Sequence, residues 1–300
     1  DGPTWGGEVN SANLTVDEAA LSVPGGDTGT DPTSLAETDS SGTLQFKAGS
    51  DAIDSIVFGD PSGISITGID TDNLVWTLSP NGRTLTGAVG SEDVLKLTLD
   101  GASSVAVDGT GNVTVKAELL GNLLHQDDPN AGSLVVSGIT VVGADDDGDS
   151  LTADVSVTVT DDVPEVSIAA TPNTVVEGES LTTGTWSLNA GADGATVAVI
   201  VGGVSYALGE EIDTGKGLLT VANDGTWSFV AADDLDNTDP QTVSFTLKAT
   251  DGDQDVDEAT QTITITDGNE PEWGGEVNSA DLTVDEAALS VLGGDTGTDP

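Results

Sequence analysis

The most distinctive chemical feature of this sequence is a run of alternating aspartates, Asp145-Asp-Asp-Gly-Asp149. Carboxylates at alternate positions can converge on one cation, and Gly148 allows the tight turn that this requires. The run therefore predicts a calcium loop. It does not match an EF-hand, because no Glu stands at the twelfth loop position between two helices. The alternative is an acidic hairpin turn, since Asp-Gly is a favoured turn dipeptide.

A related run recurs at Asp251-Gly-Asp253. Each run lies one predicted strand before an acidic linker that contains proline, Asp161-Asp-Val-Pro164 in the first case and Asp267-Gly-Asn-Glu-Pro271 in the second. Proline fixes φ and biases the preceding residue toward extended geometry, so these linkers are expected to act as directional spacers. The repeated arrangement favours calcium over two unrelated turns.

Three copies of a Thr-Val-x-Glu segment add further carboxylates, at Glu18, Glu177 and Glu286. If the first strand of a domain runs alongside its last strand, this Glu and the linker aspartates meet at the seam between domains. For any single Glu the alternative is a solvated strand residue. The predicted calcium ligands are Glu18, Asp147, Asp149, Asp161 and Asp162 at the first seam, with Asp145 in the same aspartate loop, Glu177, Asp251, Asp253, Asp267 and Asn269 at the second seam, and Glu286 as the next copy of Glu18.

The elements that must position these residues are predicted to be strands. Short runs rich in Thr, Val and Ile alternate with Gly, Asp and Asn at spacings typical of β-sandwiches, as in Val94–Leu99, Leu134–Val142 and Thr260–Thr266. The sequence predicts an all-β fold of tandem immunoglobulin-like or cadherin-like sandwiches.

The chain begins to repeat itself before it ends. Trp5–Pro32 and Trp273–Pro300 differ at only two positions, Asn13/Asp281 and Pro24/Leu292. The chain is thus one period of a tandem array and the opening of the next. We predict a longer first domain at 1–162, a second at 163–268, and the linker and first strand of the next copy at 269–300. Extra strands, or an insertion between Ser22 and Ser41, are expected to enlarge the first domain.

The charge balance narrows the possible partners. Asp and Glu number 53 against 6 Lys and Arg, a formal net charge of −47. Nucleic acid and anionic membrane surfaces are disfavoured, because both need basic groups. Self-repulsion on this scale opposes a compact state, so either high salt screens it or divalent cations bind at defined sites. With no Cys in the chain, disulfides cannot stiffen small sandwiches, and carboxylate-bound calcium is the obvious substitute.

Catalysis has little support in the sequence. There is no Cys, a single His, no Gly-x-Ser-x-Gly elbow and no glycine loop for phosphate. No run of 18 or more apolar residues is present, so no membrane insertion is expected. The chain is expected to be non-enzymatic.

The segments ADDDGDSLTADVSVTVTDDVPE and KATDGDQDVDEATQTITITDGNEPE carry a family resemblance. They resemble the tandem extender repeats of giant bacterial adhesins exported by type I secretion, the repeats-in-toxin adhesins. The resemblance implies an extracellular, surface-tethered stalk with calcium at its linkers and a role in attachment or biofilm formation. Its implied partners are calcium ions and neighbouring repeats of the same chain, with the segment itself monomeric.

The sequence leaves a second function open, in which one of the domains is a binding module for a glycan or a protein. A cluster of exposed aromatic residues would favour this function. A third, an accessory domain of an enzyme, predicts a single copy beside a catalytic domain. The near-identical repeat argues against this third function.

Overall fold

The computed structural model describes residues 2–7, 10–21, 38–67, 74–123, 132–178, 182–233, 235–236, 239–268, 290–291 and 294–295. Almost every element in them is a strand, and two 3₁₀ helices cover Glu18–Ala20 and Pro61–Gly63. No helix in these ranges is both long enough and apolar enough to cross a membrane.

The first sandwich has two sheets. One runs in the order β1-β3-β9-β8-β7-β6, and the other runs β2-β11-β10-β4 with β5 also paired to β10. The strands are β1 (Thr4–Trp5), β2 (Ser11–Asp17), β3 (Asp39–Lys47), β4 (Ser55–Phe58), β5 (Ser65–Thr67), β6 (Leu74–Leu78), β7 (Thr84–Val89), β8 (Glu92–Gly101), β9 (Thr110–Leu119), β10 (Ser133–Ala144) and β11 (Ser150–Thr160).

The second sandwich repeats this plan with sheets β12-β14-β19-β18-β17 and β13-β21-β20-β15-β16. A separate short hairpin pairs β22 with β23. The strands are β12 (Glu165–Ile168), β13 (Thr174–Val176), β14 (Thr182–Asn189), β15 (Ala195–Val201), β16 (Val204–Ala207), β17 (Glu211–Asp213), β18 (Gly217–Val221), β19 (Thr226–Ala231), β20 (Gln241–Asp251), β21 (Val256–Thr266), β22 (Ser290–Val291) and β23 (Gly294–Asp295).

Strict alternation along the strands builds a separate apolar core in each sandwich. In β9, Val113, Val115 and Ala117 face inward and the residues between them face outward, because successive side chains in a strand point to opposite faces. Phe46 in the first core packs 5.2 Å from Trp5, measured between ring centroids. Trp227 and Phe245 form the corresponding aromatic pair in the second core, at 5.5 Å.

In each sandwich the second strand along the chain runs parallel to the last strand and pairs with it. β2 pairs with β11 in a register that sets Asp17 opposite Thr160, and β13 pairs with β21 so that Val176 lies opposite Thr266. The predicted meeting of the Glu with the linker aspartates depends on this adjacency, which is present in both sandwiches.

The predicted fold class is confirmed: the chain is all-β and forms tandem sandwiches. The described part of the first sandwich has eleven strands, and that of the second has ten. Most of the proposed insertion between Ser22 and Ser41 falls on residues 22–37, outside the described residues. The two cores lie on either side of Asp162, and the predicted domain boundaries themselves stay predictions.

One glycine tests how tightly the first core is packed. A Cβ on Gly143 would lie 2.8 Å from Cδ1 of Phe46, whereas one on Gly63 would meet nothing within 4 Å. We expect Gly143→Ala to lower the free energy of unfolding of the first sandwich by about 1–3 kcal/mol through overpacking. Gly63→Ala should change it by less than about 0.5 kcal/mol. Urea unfolding followed by near-ultraviolet circular dichroism measures both, and equal effects would contradict this packing.

Candidate metal centre at the seam between the sandwiches

Glu18 is positioned by the turn that ends β2. Asp17 caps the short 3₁₀ helix that follows, its Oδ1 accepting a hydrogen bond from the amide of Ala19 at 2.9 Å. The turn directs Glu18 into the protein, where its side chain is 0% exposed. Glu18 Oε1 accepts a hydrogen bond from the backbone amide of Leu123 at 2.6 Å.

The linker after β11 brings Asp161 close to Glu18, and its next residue, Asp162, bonds to the second sandwich. Asp162 is 2% exposed, and its Oδ2 accepts a hydrogen bond from the amide of Ala192, in the second sandwich, at 2.7 Å. The next residue, Asp193, accepts a hydrogen bond from the Asn122 side chain. One carboxylate oxygen each from Glu18, Asp161 and Asp193 lie within 4.8 Å of one another. This first carboxylate cluster draws on both sandwiches.

A second carboxylate cluster belongs to the turn between β20 and β21. One oxygen each from Asp251, Asp253 and Asp255 lie within 4.8 Å of one another. Asp251 Oδ1 accepts a hydrogen bond from the Asp255 amide at 2.8 Å, and Gln254 takes a left-handed φ of 86° that closes the turn. Asp251 is 6% exposed, and its Oδ2 is buried without a hydrogen-bond donor.

The two clusters adjoin and act on each other electrostatically. The pKa of Glu18 is raised to about 9, mainly by burial and to a smaller extent by the charges of Asp193, Asp161 and Asp253, while the hydrogen bond from Leu123 opposes the shift. Burial also raises the pKa of Asp161 to about 9, with Asp253 and Asp255 adding to the shift. For Asp251, burial and then the neighbouring Asp253 raise the pKa to about 7. The seam thus concentrates carboxylates that resist ionisation together.

This arrangement suits a hard cation. Ca²⁺ takes six to eight oxygen ligands, and carboxylates supply the charge that offsets its own. Burying several ionised carboxylates with no cation among them carries a large desolvation cost. The orphaned Oδ2 of Asp251 is an oxygen for which the protein offers no hydrogen bond. The residues that would hold the ion are Glu18, Asp161, Asp162, Asp193, Asp251, Asp253 and Asp255.

The predicted membership of the first seam was wrong for Asp145, Asp147 and Asp149. These residues form a cluster of their own at the other end of the first sandwich, where Asp149 lies against Gly2. The reason is strand length: β11 separates this loop from Asp161 by 11 residues, or about 36 Å. Asp145 is 8% exposed, with Oδ2 buried and without a hydrogen-bond donor. Its carboxylate raises the pKa of Asp147, and the charge of Asp51 adds a smaller contribution.

The predicted second seam needs the same correction. Glu177 lies beside the end of β21, where its Oε2 accepts a hydrogen bond from Leu235 N at 3.1 Å and its Oε1 accepts one from Gly268 N at 3.4 Å. Asp251 and Asp253 are not with it, because β21 runs between them and Asp267. They join the first seam instead. Asn269 and Glu286 lie outside the described residues.

Sequence reasoning missed Asp193 and Asp255. Asp255 completes an Asp-x-Asp-x-Asp alternation with Asp251 and Asp253, matching Asp145–Asp149. The backbone confirms this match, since Asp145 Oδ1 accepts from Asp149 N at the same 2.8 Å as in the second loop. Asp193 ends an Ala-Gly-x-Asp segment, and Ala48-Gly-Ser-Asp51 is its counterpart in the first sandwich. Both signals were present in the sequence.

No family model and no curated protein matches the chain. Among solved structures, it is similar to a protocadherin gammaB7 EC3-6 cis-dimer at 14% identity and TM-score 0.29, covering 88% of this chain and 47% of that one. Drosophila N-cadherin EC1-4 gives 14% identity, TM-score 0.28 and coverage of 90% and 50%. The Clostridium thermocellum CbhA fibronectin(III)-like modules give 12% identity and TM-score 0.23, and the match covers 90% of this chain and 99% of that one. The chain thus spans about half of the two cadherin structures, and likeness at this level carries no argument about function.

The raised carboxylate pKa values predict how pH changes the stability of the protein in chelator. Glu18 has a folded pKa of about 9 against an ordinary value of 4.5, so between these values the folded state holds a proton that the unfolded state has lost. The free energy of unfolding should therefore fall as pH rises through this window. Urea midpoints at pH 5, 6, 7 and 8 measure it, and Glu18→Gln should flatten the slope. A midpoint that rises with pH would contradict the prediction.

Proposed function

We propose that the chain is a calcium-stabilised structural extender of a secreted bacterial surface adhesin. Repeats joined end to end hold a distal ligand-binding region away from the cell for attachment and biofilm formation. The observation that carries the proposal is the convergence of buried carboxylates from both sandwiches at one seam. The family resemblance in the sequence supports the adhesin and its extracellular location, and the near-identical repeat supports a role in providing length.

Two sources supply the ligands of such a seam. The sandwich before the seam contributes the Glu after its first long strand and the aspartates after its last one. The sandwich behind it contributes an Asp-x-Asp-x-Asp turn and an Ala-Gly-x-Asp loop. Glu18 and Asp161 are the first kind, and Asp193 and Asp253 are the second.

The same rule assigns the two outer ends of the period. The sandwich before a seam supplies what we call its leading half, and the sandwich behind it supplies the trailing half. At the end of the period, the leading half of a seam consists of Glu177, Asp267 and Asn269. At its start, the trailing half of another seam consists of Asp51, Asp145, Asp147 and Asp149. Because the sequence repeats after Trp273, the leading half of one period meets the trailing half of the next. Each period then carries one seam within it and one between repeats. Two sandwiches give about 70–90 Å of length per period.

Calcium should stabilise the chain through the seam. Extracellular calcium modules bind with a Kd of about 10⁻⁴–10⁻³ M. With free calcium about 100-fold above Kd, each site adds about 2.7 kcal/mol to the free energy of unfolding. Thermal unfolding and small-angle scattering, each in calcium and then in chelator, measure the stability and the maximum dimension. If neither changes on calcium removal, the chain is not a calcium-stabilised strut.

Glu18→Gln separates a metal ligand from a merely buried carboxylate. In chelator at pH 8 the variant should be as stable as the parent or more so, because the substitution removes the free-energy cost of protonating this carboxylate when the protein folds. In calcium the variant should lose most of the calcium-induced increase in the free energy of unfolding. The substitution should therefore destabilise the protein in calcium, whereas it does not do so in chelator. Urea unfolding in both conditions measures this.

Glu177→Gln is the matched control for that experiment. It makes the same change beside a linker, at a Glu held by two backbone amides, but it lies away from the first seam. The calcium-induced increase in the free energy of unfolding that comes from the first seam should be unchanged in this variant. Equal loss of the gain in both variants would overturn the assignment of Glu18.

The second candidate, a glycan- or protein-binding module, finds less support. Within the described residues every Trp, Tyr and Phe side chain is buried or half-buried. The exposed aromatic cluster that would favour such a module is therefore missing from this part of the chain.

A further inference from the structure

The hairpin of β6 and β7 lacks the negative charge that dominates the rest of the chain. Residues 73–91 are the longest stretch of the sequence without Asp or Glu, although these two residue types account for 53 of the 300 residues. The one charged side chain in the stretch is Arg83, whose guanidinium donates hydrogen bonds to the backbone carbonyls of Ile56 at 2.8 Å and Leu99 at 2.9 Å. The outer strand of this hairpin, β6, carries no charge of its own.

β6 ends its sheet with an unprotected edge. β7 pairs with it on one side, and among the described strands none pairs with it on the other. The 3₁₀ helix Pro61–Gly63 comes close to β6, but no described backbone hydrogen bond joins them. Charged side chains, proline or a bulge usually protect such an edge. β6 has none of these, whereas the corresponding sheet of the second sandwich ends at β17, which exposes the carboxylates of Glu211 and Asp213.

The side chains of β6 are largely apolar. Val75 is 60% exposed, more than any other large apolar side chain among the described residues. Leu74, Trp76 and Leu78 point to the opposite face and pack against the first core, but each is only half-buried. β-Branched and aromatic residues without charge are the composition that favours pairing between strands.

The open edge of β6 presents the backbone groups of three residues. Opposite residues in an antiparallel pair alternate between those that exchange both hydrogen bonds and those that exchange none. The amide of Ser79 donates to the carbonyl of Thr84 at 2.9 Å, and these two residues continue the register of β6 with β7. Counting back along the strand, the N–H and C=O groups of Leu74, Trp76 and Leu78 point away from β7.

We propose that the β6 edge binds the β6 edge of a second copy of this chain, antiparallel and about a two-fold axis at Trp76. Trp76 then pairs with its own equivalent, Leu74 pairs with Leu78 of the second copy, and each of these pairs exchanges two hydrogen bonds. The aromatic pair at the axis favours this register. The two six-stranded sheets become one continuous sheet. The contact is isologous, so it closes as a dimer.

Charge favours the antiparallel orientation of the two edges. The exposed carboxylates of Glu92 and Asp93 begin β8, at the end of the sheet where Leu74 begins β6. The turn that contains Arg83 lies at the other end of the hairpin. Antiparallel pairing sets the carboxylates of each copy nearest to the Arg83 turn of the other, whereas parallel pairing sets carboxylates against carboxylates. An edge without acidic residues also lets two copies of a chain with a net charge of −47 meet without like charges directly opposite each other.

The size of the interface and the net charge set the conditions for pairing. An edge of five residues is small beside the interface of a stable dimer, so the chain stays monomeric in dilute solution. Repulsion between acidic copies opposes the contact, and salt shortens the range of that repulsion. Pairing should therefore strengthen as salt is added. The interface shares no residue with the seam, so it goes beyond the proposed function and does not depend on it.

Sedimentation equilibrium of the whole chain in calcium tests the association. The weight-average mass should rise with concentration toward about twice that of the monomer. The dissociation constant should fall by about tenfold or more between about 0.05 M and 0.5 M NaCl. A chain that stays monomeric up to about 1 mM in the higher salt overturns the proposal.

Val75→Asp tests whether β6 is the edge that pairs. A carboxylate on each copy of the edge should raise the dissociation constant by about tenfold or more and leave the near-ultraviolet circular dichroism of the folded chain unchanged. Val204→Asp is the matched control, because Val204 is a similarly exposed valine, at 53%, on β16 at the edge of a sheet in the second sandwich. This control should leave the dissociation constant unchanged, and equal effects of the two substitutions overturn the proposal.

Disulfide trapping tests the register, because the chain contains no Cys. In the proposed dimer Val75 lies opposite Thr77 of the second copy in a pair without hydrogen bonds, with Cα atoms about 4.5 Å apart, which a disulfide can span. A mixture of Val75→Cys chains and Thr77→Cys chains should therefore give cross-linked dimers. Either variant alone sets its two cysteines on a diagonal, about 8 Å apart, and should not. Cross-linking in the mixture that does not exceed that of either variant alone overturns the proposal.

Discussion

The parallel pairing of the second strand with the last strand in each sandwich determines where the candidate ligands lie. Because β2 and β11 run side by side in the same direction, both end at the same seam, and Glu18 meets Asp161 there. Because β11 is long, the aspartate loop that precedes it lies at the opposite end. The cluster of Glu18, Asp161 and Asp193 therefore needs both sandwiches, and a cation bound there would join them.

Much of the fold could be predicted from local pattern. Alternating Thr and Val runs predicted the strands, and alternate carboxylates such as Asp145 and Asp147 predicted the acidic clusters, because both depend on neighbouring residues. The grouping of the clusters depends on strand length and on which end of a strand each loop occupies, and this placed Asp253 with Glu18 instead of Glu177. Asp193 was missed because its Ala-Gly-x-Asp segment has no meaning until the loop is seen to pack on the previous sandwich.

Negative charge has two opposite effects in this molecule. Distributed over the surface, it keeps copies apart in solution and favours a soluble, extended chain. Concentrated at the seam, it opposes folding, since Glu18 and Asp161 are buried beside other carboxylates. The stability of the joint and its affinity for a cation are therefore linked quantities. A substitution that stabilises the metal-free seam by removing one of these carboxylates should also lower its affinity for a cation.

Ala192 belongs to the second sandwich, yet its side chain packs against the core of the first. Its amide also donates a hydrogen bond to Asp162, so one short loop both covers part of the first core and anchors the linker. The first core therefore depends on the second sandwich. Among the residues that the structure describes, Ala192 of the following sandwich completes the first core, whereas the second core contains no residue before Val166. Loss of the second sandwich would therefore uncover part of the first core, whereas loss of the first would leave every described residue of the second core in place.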